Sequence, residues 1–285
     1  MSKLAKALTA AAGNAAGESL YVEDVFSTYL YEGNSAARSI NNGIDLDGEG
    51  GLVWIKARTN GVTANHSLFD TERGIYKWLR SNLTSAELSY SNTVTAFNED
   101  GFDLGVNNQQ NYSGEDYASW TFRKAEKFFD VVTWTGDGTG ARTISHSLNG
   151  TVGALFMKAT NADMQWFSYH NGLTNQQFLE LNATTQAVSS ANAWNNTTPT
   201  SSEFTVGSYG NISGRTYVAY LFASDAGGFG DDDENIIKCG SFTTDGSATP
   251  QDINLGFEPQ FFMYKRTDAA SNWFMADIMR GWTAQ

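Results

Sequence analysis

An internal repeat constrains this chain more than any other feature. Leu52-Val53-Trp54-Ile55-Lys56 returns as Leu155-Phe156-Met157-Lys158 and again as Phe261-Phe262-Met263-Tyr264-Lys265. Gly101-Phe102-Asp103-Leu104-Gly105 returns as Glu203-Phe204-Thr205-Val206-Gly207, and Tyr117-Ala118-Ser119-Trp120-Thr121-Phe122 as Tyr217-Val218-Ala219-Tyr220-Leu221-Phe222. Asn82-Leu83-Thr84 has its copy at Asn182-Ala183-Thr184. Asp70, Arg73 and Gly74 return as Asp277, Arg280 and Gly281, with His170 at the corresponding place in the second copy. Matches in one order at a nearly constant offset define a period of about 100 residues, the size of one small domain. The 285 residues therefore divide into an arm (1–24), a first unit (25–128), a second unit (129–234) and the start of an incomplete third unit (235–285). A domain cut in its middle cannot bury its sheet. The expectation is that the chain is a fragment of a longer protein, or that another chain completes the half unit.

Each unit reads as strands. Leu52-Val53-Trp54-Ile55 is a short continuous apolar run, and Val131-Val132-Thr133-Trp134 is β-branched and aromatic. Turn pairs such as Asn42-Gly43, Asp100-Gly101, Asp137-Gly138 and Asp245-Gly246 punctuate the chain. The fold class predicted is all-β: tandem β-sandwich domains, jelly-roll-like, after a short N-terminal arm. Within the units, helical turns are expected at Thr71–Asn82 and Ala276–Trp282, and the Ala-rich first 17 residues read as a short helix or a mobile arm ended by Gly13 and Gly17.

Charge and composition narrow the chemistry. The net charge of −13 opposes contact with nucleic acid and with anionic membranes, so neither is expected as a partner. No apolar run approaches the roughly 20 residues of a membrane span. A single cysteine, Cys239, excludes an intrachain disulfide framework and a cysteine-based zinc site. Asp45-Leu46-Asp47-Gly48-Glu49-Gly50 opens like a calcium loop, but Lys56 stands where an EF-hand needs its bidentate acid. Asp231-Asp232-Asp233-Glu234 reads as a wet linker between units. Asp70 with Arg73, and Asp277 with Arg280, read as a structural clasp. No Gly-x-Ser-x-Gly elbow precedes a helix, no His neighbours Cys239, and no strand carries alternating acids of the glycosidase kind. The expectation is a protein without enzymatic activity, catalytic residues, metal or cofactor.

Two further groups invite function. The first 17 residues, with Lys3 and Lys6 among alanines, are too sparse in apolar residues for a secretory signal. They read as an attachment arm, with Lys3, Leu4, Lys6, Leu8, Tyr21 and Val22 as its contact residues. Trp78 and Trp194 have no aromatic counterpart in the other units. They are the candidates for an exposed glycan-stacking or subunit contact, whereas Trp54, Trp120, Trp134 and Trp166 are expected in the core.

The stretch Glu18 to Asn34, then Asn42-Gly43-Ile44-Asp45-Leu46, Gly50 to Lys56, His66-Ser67-Leu68-Phe69-Asp70 and Tyr117 to Arg123 together resemble tandem-repeat virion proteins of marine bacteriophages, cyanophages especially. Tyr217 to Ala223 and Gly256-Phe257-Glu258-Pro259-Gln260 fit the same pattern. The units are more distantly similar to concanavalin/laminin-G-like jelly rolls. The resemblance implies the tail-proximal part of a tail fibre in the virion, a homo-oligomer, specifically a trimer, whose repeats form a stalk. It implies a tail adaptor or nozzle protein as partner of the arm, and a host surface glycan or protein as partner of the distal part. It supplies no catalytic residues. A laminin-G-like carbohydrate-binding adhesin, a capsid-surface fibre and a polysaccharide depolymerase are the alternatives.

Overall fold

In the computed structural model, which describes residues 19–59, 64–247 and 249–282, the chain is all-β. One helical turn, α1 (Val22–Val25), leads into β1 (Phe26–Glu32), β2 (Arg38–Asn41), β3 (Gly51–Ala57), β4 (Ser67–Asp70), β5 (Lys77–Trp78), β6 (Leu88–Ser89), β7 (Val94–Asn98) and β8 (Gly101–Leu104). A second turn, α2 (Asn108–Asn111), precedes β9 (Asp116–Arg123). The strands pair in the order β1-β9-β3-β4, with β2-β8-β7 as a second sheet and β5-β6 as a hairpin. Thr71–Asn82 holds turns followed by β5, and no helix.

The second unit repeats this plan. It runs through β10 (Phe129–Thr135), β11 (Arg142–Ser145), β12 (Val152–Ala159), β13 (Phe167–His170), β14 (Gln177–Glu180), β15 (Val188–Ser189), the turn α3 (Ala191–Trp194), β16 (Glu203–Val206) and β17 (Thr216–Ala223). Its main sheet is β10-β17-β12-β13-β14-β15, and β11 pairs with β16. The first four strands match β1-β9-β3-β4 one for one. Ala57 faces Tyr117 across the ladder, and Ala159 faces Tyr217.

The shared residues have shared duties. Tyr117 Oη accepts the Tyr112 amide at 2.9 Å, and Tyr217 Oη accepts the Ile212 amide at 3.0 Å. Tyr31 stacks on Tyr117 with centroids 5.0 Å apart, as Trp134 stacks on Tyr217 at 5.2 Å. A Cβ on Gly33 would lie 2.1 Å from Tyr112 O, and one on Gly136 would lie 2.3 Å from Ile212 O, so only glycine fits where these loops cross. The repeated lysine caps its own strand end. Lys56 Nζ donates to Ala57 O at 2.9 Å, and Lys158 Nζ does the same to Ala159 O at 2.9 Å.

β3 and β12 are continuous apolar runs because both their faces are covered. One face of each packs on the unit's own second sheet: Val53, Ile55 and Tyr117 with Ile40, Phe102 and Leu104, and Leu155, Met157 and Tyr217 with Ile144, Phe204 and Val206. The other faces meet in a common core. There Leu52, Trp54, Trp120 and Phe122 join Phe129, Phe156, Trp166, Tyr220 and Phe222, with Phe261, Met263, Trp273 and Met275 of the third unit against them. Phe122 lies at its centre, with ring centroids 5.3 Å from Phe222 and 6.1 Å from Phe261. The units therefore share a core side by side, and do not follow one another as beads along a stalk within this chain.

The third unit contributes β18 (Phe261–Lys265), β19 (Trp273–Asp277) and a 3-10 turn at Ile278–Arg280. These correspond to β3, β4 and the clasp of the first unit. Residues 235–247, which match β10 and the turn after it, form no strand. The reason lies in the sheet order. In the complete units β1 and β10 pair only with β9 and β17, and the described residues of the third unit contain no equivalent of those strands.

Candidate functional site

The polar groups that converge in this molecule do so at the seams between units. Asp70 is fully buried, and its Oδ2 accepts Arg73 Nε at 2.6 Å while its Oδ1 accepts the Arg73 amide at 2.9 Å. Arg73 also donates to Glu87 Oε2 at 2.7 Å and to Leu68 O at 3.2 Å. Tyr220 of the second unit then reaches across, and its hydroxyl donates to Asp70 Oδ2 at 2.7 Å. Burial pushes the Tyr220 phenol well above the usual tyrosine range, so it stays a donor. Burial alone would lower the Arg73 pKa, but Asp70, Tyr220 and Glu87 around it outweigh that and raise it.

The clasp recurs in the third unit. The Arg280 amide donates to Asp277 Oδ1 at 2.9 Å, Arg280 Nη2 donates to Met275 O at 3.0 Å, and Arg280 Nε pairs with Asp277 Oδ2. Its aromatic visitor is Trp120 of the first unit, whose indole N–H donates to Asp277 Oδ2 at 3.0 Å while Arg280 lies over the ring at 4.9 Å. Trp120 and Tyr220 occupy the same position of the repeat. A second set of contacts follows the same direction. Trp166 Nε1 donates to Arg80 O at 2.9 Å, from the second unit to the first, and Trp273 Nε1 donates to Glu180 O at 3.0 Å, from the third to the second. Backbone pairs stitch both seams. Met164 N reaches Thr84 O and Glu87 N reaches Thr160 O, each at 2.8 Å; Ser271 N reaches Thr184 O and Ala187 N reaches Thr267 O, each at 2.9 Å. Contacts run from second unit to first, third to second and first to third, which is a closed cycle of three.

The second unit's clasp differs. His170 replaces the aspartate and Leu173 stands in place of the arginine. His170 Nδ1 accepts the Gly172 amide at 3.0 Å, and burial lowers its pKa.

A polar cleft of about 310 Å³ lies beside the first seam, lined by Glu72, Lys124, Asp130 and His146 among others. Its charges are engaged: Lys124 Nζ is 2.6 Å from Glu72 Oε1 and 3.6 Å from Asp130 Oδ1. Both Asp130 oxygens accept backbone amides, from Val131 at 2.8 Å and Ser147 at 2.7 Å. His146 Nδ1 accepts the Leu148 amide at 3.2 Å. Neither a nucleophile with its base nor a pair of free carboxylates forms here. Among the described residues, no three His, Cys, Asp or Glu side chains gather as a metal site needs, and no helix is long and apolar enough to cross a membrane. Asp45 Oδ1 is taken by the Gly48 amide at 2.8 Å, and Glu49 pairs with Arg123 at 2.9 Å. In the acidic run, Asp233 Oδ1 accepts the Gly228 amide and Asp231 accepts from Tyr21.

The two tryptophans expected at the surface are buried, which corrects that reading. Trp78 is 5% exposed and Trp194 is 1% exposed. Trp78 lies in the β5-β6 hairpin, opposite Leu88, and packs into the first unit's inter-sheet core. Trp194 ends α3, packs edge-on to Tyr169 at 6.0 Å and donates its N–H to Gln177 O at 3.1 Å. The structure gives Trp78 an aromatic counterpart, Phe178, which stands opposite Val188 as Trp78 stands opposite Leu88, whereas Trp194 takes in the second unit's core the place that Val94 takes in the first. Tyr21 and Val22 are half-buried against the body. The Tyr21 hydroxyl donates to Asp231 Oδ1 at 2.5 Å, Gly230 N donates to Leu20 O at 2.8 Å, and Val22 packs on the common core. Lys3, Leu4, Lys6 and Leu8 lie outside the described residues.

A family model described as "Domain of unknown function (DUF7483)" matches residues 22–284. The chain belongs to this family. No curated protein and no solved structure matches it. The DUF7483 match starts at the first residue of α1 and runs through both complete units into the third, so one family definition covers the shared core and its seams.

Proposed function

We propose that this DUF7483 chain is a structural protein of a bacteriophage virion, the tail-proximal part of a tail fibre that supports adsorption to the host. The observation that carries the reading is how the polar side chains are spent. The Asp70–Arg73 and Asp277–Arg280 pairs, with both carboxylates buried, hold the first unit to the second and to the third through the same kind of contact. A chain whose convergent groups all serve cohesion suits a load-bearing part. The acidic surface keeps such a part off nucleic acid. The sequence resemblance to cyanophage fibre proteins adds the setting.

In this reading residues 1–18, with Lys3, Leu4, Lys6 and Leu8, meet a tail adaptor or nozzle protein. The fibre is a homo-trimer, its distal part meets a host glycan or protein, and the chain hydrolyses nothing. Tyr21 and Val22 serve as the point where the arm is fastened to the body. The test is the particle itself. Mass spectrometry of purified virions and antibody-labelled electron microscopy should place the protein at the tail. Deleting residues 2–18 should abolish its incorporation while leaving the purified protein folded. Labelling on the capsid, or normal incorporation of the deletion variant, would overturn the assignment.

A further inference from the structure

Among the described residues the third unit forms one strand pair, and exposed side chains mark the face that a second layer covers in the complete units. β3 and β12 each carry a partner strand on both sides, whereas among the described residues β18 pairs only with β19. Phe242 is 45% exposed where its counterpart Trp134 is 8% exposed, and Ile253 is 39% exposed where Ile144 is 6%. Tyr264 is 40% exposed against 0% for Met157, and Phe274 is 45% exposed against 6% for Phe167. In the second unit these residues pack in the inter-sheet core together with Phe204 and Val206 of β16 and Tyr217 of β17. Among the described residues, exposed large apolar side chains thus gather where a second layer lies in the complete units.

We propose that the free edge of β18 is a strand-acceptor site, and that its occupant is a polypeptide segment of the β7–β9 type. Such a segment carries a closing strand of the pattern Tyr-x-x-Tyr/Trp-x-Phe. The chain itself contains two filled copies of the site, which define the fit. The closing strand runs antiparallel to its acceptor, as Trp120 faces Trp54 and Tyr220 faces Phe156. In the third unit the equivalent aromatic stands beside Met263 and points at the second unit's clasp position, His170. The contact cycle has the same vacancy, since the first unit's clasp receives Tyr220 and the third unit's clasp receives Trp120. With His170 and Leu173 in place of Asp and Arg, that clasp presents no carboxylate. The visiting ring there docks by packing and a neutral imidazole contact, not by a charge-assisted bond. Main-chain pairing along β18 supplies affinity, and the Tyr264 and Phe274 face supplies selectivity.

The test adds a synthetic polypeptide with this chain's own sequence from residue 88 to residue 123 to the full chain. Binding is followed by fluorescence polarisation, amide exchange and sedimentation. A one-to-one complex is expected, with exchange at β18 slowed roughly tenfold or more. A scrambled polypeptide should not bind. Tyr264→Asp, which changes an exposed side chain and leaves the common core intact, should weaken the complex about tenfold or more, by removing an anchor beneath the incoming layer. Absence of binding, or protection confined to residues outside 235–282, overturns the proposal. So does self-association of the chain through β18 that the polypeptide fails to displace, because the occupant is then a second copy.

Discussion

Replacing Tyr220 with phenylalanine removes one oxygen from the seam between the first and second units. The ring keeps its place against Trp166 and Phe129, at centroid distances of 6.1 and 6.4 Å. What is lost is the hydroxyl's 2.7 Å bond to the buried Asp70 carboxylate and the 3.2 Å bond it accepts from Arg73. Asp70 and Arg73 remain paired at 2.6 Å, so no charge is left alone. A hydrogen bond to a charged group contributes about 1.5–3 kcal/mol, and a loss of about 2 kcal/mol is expected. For a cooperative unit of this size that lowers Tm by about 4–8 °C. Asp70→Ala is harsher, because it leaves Arg73 buried with only Glu87 for a carboxylate, and about 3–5 kcal/mol is expected. Urea unfolding followed by near-UV circular dichroism, run on both single variants and on the Tyr220→Phe, Asp70→Ala double variant, gives the coupling directly. A Tyr220→Phe variant within about 0.5 kcal/mol of the parent chain, the range of an ordinary surface change, would refute the claim that this hydroxyl anchors the seam.

Three other outcomes follow from the same geometry. Burial pulls the Lys158 ammonium down to about 8, from an ordinary value of 10.5. Between those values the unfolded chain holds a proton that the folded chain has released, so stability rises with pH across that window. The unfolded Cys239 thiol ionises in the same range and acts in the opposite sense, so the slope should be read from urea midpoints between about pH 8 and 9 in a Cys239→Ala background, where Lys158→Met should remove it. Cys239 itself is pushed up to about 12 by burial. Iodoacetamide should leave it untouched in the folded protein at neutral pH and alkylate it in urea, as measured by intact mass. Trp78→Ala and Trp194→Ala should each cost about 3–5 kcal/mol in thermal or urea melts, as large core truncations do, with no change in binding to a glycan array.

The repeat was legible in the sequence because its matches fall on backbone duties. Lys56 and Lys158 cap their strand ends, Tyr117 and Tyr217 tie down the preceding loops, and the Asp-Arg clasps close on themselves. The strand class was legible for the same reason. The cycle of units was not, although its signals are present. Trp120 with Phe122, and Tyr220 with Phe222, give each strand an apolar face opposite the one that carries Tyr117 or Tyr217, and one unit's second sheet covers only one of the two. The cover proved to be the neighbouring unit, at sequence separations of 150 and 157 residues. Local patterning cannot encode such contacts. Trp78 was misread because its counterpart is Phe178, a different aromatic in the same place of the matching strand pair, and Trp194 because the first unit fills that place with the smaller Val94. Tyr21 and Val22, read from the sequence as attachment contacts, rest on the linker and core of this same chain.

The central claim is that the units form one body through matched seams. Four backbone amides report on it directly: Glu87 and Met164 at the first seam, Ala187 and Ser271 at the second. Each lies outside the strand ladders and donates across a seam, to Thr160, Thr84, Thr267 and Thr184 respectively. Hydrogen exchange read residue by residue should find all four protected, and protected together, opening only when the shared core opens. Exchange of these amides at the rate of free loops, with β3 and β12 still protected, would mean that the units fold separately and that the seams do not hold.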